Sequence, residues 1–129
     1  MTSERMVSLF HRWRRYVGIK ADRVKLIHNC DDLKGTQTRA HVWTEHPAPH
    51  EIECRPSLAR ESAHDIGMVF LHELMHVLLR RMALVVENYM ATHPECKDAI
   101  GQAFLDAEEA VAEDLARRFW RIAHRRVKA

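Results

Sequence analysis

The run Phe70-Leu71-His72-Glu73-Leu74-Met75-His76-Val77 sets an H-E-x-x-H spacing inside an apolar stretch, and it limits the possible folds more than any other feature. From Ile66 to Leu79 the chain reads IGMVFLHELMHVLL, too long for a strand and apolar everywhere except at the motif. A helix turns once every 3.6 residues, so His72 and His76 stack on one face, with Glu73 one position round. At about 100° per residue, His72, Glu73, His76 and Arg80 share one quadrant, and the remaining faces are apolar. A helix apolar nearly all round is expected in a core, where two imidazoles and a carboxylate need partners. Two stacked imidazoles can grip one metal ion, and the intervening carboxylate can serve as a general base. The competing reading is a narrow polar stripe facing solvent.

Ser62, with Asp65 three residues on, forms an approximate capping box that starts this helix. The pattern carries it at least to Met82, and to about Met90 if a break intervenes. Before it, Met6, Phe10, Trp13 and Val17 recur at helical spacing, and Gly18 supplies a stop. Arg23–His28, Thr36–Thr44 and His50–Cys54 alternate as three short strands, separated by the turn-rich Asn29–Gly35 and by Pro47 and Pro49. Thr92-His93-Pro94 marks a connection. A last helix from Glu95 onwards is expected to bury Ile100, Phe104, Val111, Leu115, Phe119 and Ile122. These elements predict a single α+β domain over residues 1–129.

A catalytic zinc ion usually takes three protein ligands. The last helix offers Glu108, Glu109, Glu113 and Asp114. Glu108 lies near the centre of the apolar stripe. Glu109 lies on its flank above the small residues Ala112 and Ala116, which would let two backbones approach. Glu113, one turn beyond Glu109, is placed to hydrogen-bond a ligating histidine. Periodicity alone leaves Glu108 and Glu109 both open as the ligand.

HELMH followed by Glu109-Ala110-Val111-Ala112-Glu113-Asp114-Leu115-Ala116 resembles the zincin metallopeptidases of gluzincin type. It is closest to the ImmA/IrrE-like group and the small phage-type metallopeptidases. The resemblance spans roughly positions 50 to 120. It implies a minimal zincin fold: an N-terminal helix, a small three-stranded sheet, an active-site helix and a glutamate helix. It further implies Zn²⁺ held by His72, His76 and Glu109, with Glu73 as the catalytic base in peptide-bond hydrolysis. Two positions depart from the group's pattern: Met75 stands where Gly is usual, and Glu113 where Asn is usual. The other function carried by the same residues is a catalytically silent, zinc-stabilised regulatory or binding module of phage or prophage origin.

The remaining features narrow the setting. A net charge of +2 gives no general nucleic-acid signature. The terminal group Arg117, Arg118, Arg121, Arg125, Arg126 and Lys128 reads as a solvated face, and a basic nucleic-acid-binding protein is the weaker alternative. Cys30, Cys54 and Cys96 are odd in number and far apart, which suggests packed thiols in a reducing compartment and hence the cytoplasm. No stretch approaches the ~20 apolar residues of a membrane span. The expected partner is a peptide or protein substrate. Tyr89, His93, His64 and His124 are available to stabilise an oxyanion, and the sequence does not choose among them. His11, His28, His41, His46 and His50 share no ligand spacing, although a second zinc site from His46 and His50 is conceivable.

Overall fold

A computed structural model of the protein describes residues 1–27, 40–43 and 49–128. Helix α1 (Ser3–Tyr16) is followed by strands β1 (Val24–Ile27), β2 (Ala40–Trp43) and β3 (His50–Cys54). A short 3₁₀ turn, Pro56–Arg60, leads into helix α2 (Ala63–Thr92). A second 3₁₀ turn, Pro94–Cys96, joins α2 to helix α3 (Lys97–Lys128). The class is α+β. The turn expected over Asn29–Gly35, together with Cys30, His28 and His46, lies outside the described residues.

Helix α1 forms where the spacing predicts it. The Thr2 side chain accepts from the Arg5 amide, and Met6, Phe10 and Trp13 face the core. Gly18 ends the helix with φ +82°, a conformation that a Cβ disfavours. The chain then folds back, and Arg14 is buried with its guanidinium donating to the Ile19 carbonyl at 2.6 Å. Its Nε also donates to His11 Nδ1 at 3.1 Å. Burial, reinforced by the nearby charges of Arg14 and Arg15, pushes the His11 imidazole below its ordinary pKa.

The strands make one sheet in the order β1-β3-β2. β1 runs parallel to β3, with Val24 opposite His50 and Ile27 opposite Glu53. β2 runs antiparallel to β3, with Ala40 opposite Cys54 and Trp43 opposite Glu51. Along β3, His50, Ile52 and Cys54 are buried while Glu51 and Glu53 are half-buried, the period-2 pattern of a one-sided sheet. β3 matches its expected span residue for residue, β1 begins one residue after Arg23, and positions 28, 36–39 and 44 of the other expected strands lie outside the described residues.

Helix α2 starts at Ser62, whose hydroxyl accepts from the Asp65 amide at 3.1 Å. It runs 30 residues, past Met82 and Met90 to Thr92 with no break between, about 45 Å at 1.5 Å per residue. Its first half is in the core: Ile66, Phe70, Leu71, Leu74 and Met75 are fully buried. Phe70 meets Phe10 edge to face, with ring centroids 5.6 Å apart. α2 packs against α1, β2 and α3, the last running back along it through a tight connection.

The buried face of α3 differs from the sequence expectation. Val111 and Ile122 are exposed, whereas Ala112 and Ala116 are fully buried, with Leu115 and Phe119 half-buried beside them. Small side chains let the α3 backbone come close to α2, and that close contact turns the larger residues to the flanks. Gly67 serves the same approach from α2. A Cβ there would lie 2.6 Å from Trp120 Cζ3 and 2.9 Å from Trp13 Nε1. The Trp13 and Trp120 rings lie 4.9 Å apart, tilted by 30°, so α1, α2 and α3 interlock at this point. Among the described residues, no helix is long and apolar enough to cross a membrane.

Candidate metal centre

His72 and His76 lie on the side of α2 that faces α3. Because the helices run in opposite directions, one turn forward on α2 corresponds to about one turn backward on α3. His72 therefore meets Glu113, and His76 meets Glu108, with Glu109 between them. Each imidazole is held from behind by a carboxylate: His72 Nδ1–H donates to Glu113 Oε2 at 3.0 Å, and His76 Nδ1–H donates to Glu108 Oε1 at 3.0 Å. This assignment of ring protons follows from the acceptor-only character of the carboxylates.

With the protons on Nδ1, both Nε2 atoms present lone pairs, and these lone pairs converge. The two Nε2 atoms are 3.2 Å apart. His72 Nε2 is 3.1 Å from Glu109 Oε2, and His76 Nε2 is 2.9 Å from Glu109 Oε1. Ligand bonds of 2.0–2.2 Å at tetrahedral angles separate neighbouring donors by about 3.3 Å. The spacing fits. Two lone pairs and a carboxylate aimed at one another repel unless a cation lies among them. The donor set could therefore hold a divalent metal ion.

His72, His76 and Glu109 each offer one donor atom within 4.8 Å of the others, the one such grouping among the described residues. The histidine side chains are largely covered, while that of Glu109 is 62 % exposed, so the group opens to solvent on the α3 side. Glu108 is only 14 % exposed and lies behind His76, so Glu109 supplies the converging oxygens. Glu113 is linked onward to Arg117, whose Nε lies 3.2 Å from its other oxygen. Asp114 turns outward and pairs with Arg118 at 3.1 Å. Two of the basic residues near the C-terminus are thus partnered within their own helix.

Glu73 is buried, at 8 % exposure, one position round α2 from His72. The other histidines and Tyr89 are placed elsewhere. His64 and His124 both pack on Trp120, at ring distances of 4.4 and 4.2 Å. Tyr89 stacks on His93 at 4.2 Å near the end of α2. At 1.5 Å per residue, Tyr89 is about 20 Å along the helix from His76 and His64 about 12 Å from His72. His50 is buried in β3, and His46 is outside the described residues.

The role of Glu108 is the part that sequence reading missed. The signal was present: two histidines at i and i+4 on one helix call for carboxylates one turn apart on an antiparallel partner, and Glu108, Glu109 and Glu113 have that spacing. Comparison with protein-family models, curated proteins and solved structures finds no match to the chain.

Proposed function

We propose that the protein is a zinc-dependent metallopeptidase of minimal zincin type, acting in the cytoplasm on a peptide or protein substrate. The observation that carries this reading is the convergence of His72 Nε2, His76 Nε2 and both Glu109 oxygens, with contacts of 2.9–3.2 Å. His72, His76 and Glu109 would hold the ion. A zinc ion held there would supply a water of near-neutral pKa and a Lewis acid for a carbonyl. Glu113 and Glu108 fix the orientation and tautomer of the two imidazoles and raise their basicity. Glu73 accepts the proton of the attacking water and passes it to the leaving amine. Among the described residues β2 is an edge strand and packs against α2, and an edge strand is a common platform for an extended peptide.

A second reading shares the metal but not the chemistry: a zinc-stabilised regulatory or binding module. Burial of Glu73 favours it, since a general base must reach water. One measurement tests both readings and a second separates them. Untagged protein should carry one zinc per chain by elemental analysis, and a metal-free result would sink both. Glu73→Gln should keep that zinc and lose peptide hydrolysis by at least about 100-fold against a degenerate peptide library. Should the wild type cleave nothing, the module reading stands instead, and a variant that cleaves equally well would remove Glu73 as the base.

A further inference from the structure

One face of α2 is packed in its first half and bare in its second. Leu71, Met75, Leu78, Met82, Val85 and Tyr89 follow one another at steps of 4, 3, 4, 3 and 4 residues, the 3.5-residue repeat of a helix-pairing seam. Leu71 and Met75 are fully buried in the domain core. Beyond them the core ends but the seam does not: Leu78, Met82, Val85 and Tyr89 are 45–69 % exposed. At about 100° per residue these four fall within an arc of about 60°, on the side away from His72 and His76.

We propose that this seam is where a second copy of the chain packs, α2 against α2, to form a two-fold dimer. The exposed spacing of 4, 3 and 4 reads the same in both directions. An antiparallel pair of α2 helices with its axis between Met82 and Val85 therefore places Leu78 on Tyr89 of the other copy and Met82 on Val85. A two-fold contact requires such self-complementarity. Tyr89 is already steadied by stacking on His93 at 4.2 Å with the rings 13° apart. The four side chains leave on the order of 400 Å² bare, near the size at which an apolar patch marks an interaction site. Two copies would bury about 800 Å², below the 1,200–2,000 Å² of stable complexes, so the dimer is weak and concentration-dependent. The seam faces away from the metal donors and needs no metal, so the proposal stands apart from the assignment of function.

Sedimentation velocity of the full chain from about 5 to about 500 µM spans the range such a contact implies. The mass should rise from one copy toward two and stop there. Val85→Glu should hold it at one copy throughout, with unchanged helical circular dichroism, and Val85→Lys repeats the test should the first variant not fold. Leu84 is also exposed but projects about 120° away from the seam. Leu84→Glu should leave the rise intact. A wild type that stays at one copy, a mass that climbs past two, or equal loss in the Leu84 variant overturns the proposal. A wild type that stays single would leave the seam to a different helix.

Discussion

Leu74 and Leu78 are one turn apart on the same helix, yet Leu74 is fully buried and Leu78 is 47 % exposed. The boundary between them divides α2 into two stretches of unlike character. Upstream, α1, the sheet and the alanine face of α3 surround the helix, and every apolar side is used. Downstream, α3 still runs alongside through the tight connection at Pro94–Cys96, but Met82, Val85 and Tyr89 remain in solvent. The metal donors lie on the packed side of this boundary. Their geometry rests on a part of the molecule that cannot shift without opening the core, and the downstream hairpin is free to serve another purpose.

The contrast can be broken most directly at the boundary itself. Leu74→Ala should cost about 2–5 kcal/mol in urea unfolding, the range for a large core side chain, while Leu78→Ala should cost less than about 1 kcal/mol in dilute protein. Equal costs would remove the boundary. A smaller effect tests whether the packed stretch positions the donors. Glu108→Gln should weaken zinc affinity by about 10- to 100-fold, about 1.4–2.7 kcal/mol, in competition with a chromophoric chelator. An unchanged affinity would reduce Glu108 to a packing residue. The smallest expected effect is at the interlock. Gly67→Ala should destabilise by about 1–2 kcal/mol, because overpacking against Trp120 and Trp13 outweighs the helix-propensity gain of about 0.5–1 kcal/mol. A stabilised variant would mean that the three helices are not in the contact described.

What the sequence disclosed follows the same division. Local signals read well: Ser62 caps α2, Gly18 stops α1, and β3 alternates over His50–Cys54. The motif's stacked histidines and the small residues Ala112 and Ala116 also appear where spacing puts them. Relations between helices did not read. Large side chains dominate an apolar stripe by area, but the inter-axial distance is set by the smallest residues, so Leu115 and Phe119 flank the contact half-buried while Val111 and Ile122 fall outside it. Glu108 was indistinguishable from Glu109 for a related reason. Which of two neighbouring carboxylates faces a histidine depends on the rotation and antiparallel register of α3 against α2, and neither helix encodes that alone. The unbroken course of α2 past Met82 likewise depends on α3 lying beside it.

The missing side chain at Gly67 bears on more than stability. It lies five residues, about one and a half turns, before His72, and it fixes how closely the third helix leans on the second. Even a methyl group there would act as a shim between two levers, widening the gap into which Glu109 must reach. The reach between imidazole and carboxylate is thus set upstream of the residues that make it, by an atom the chain does without.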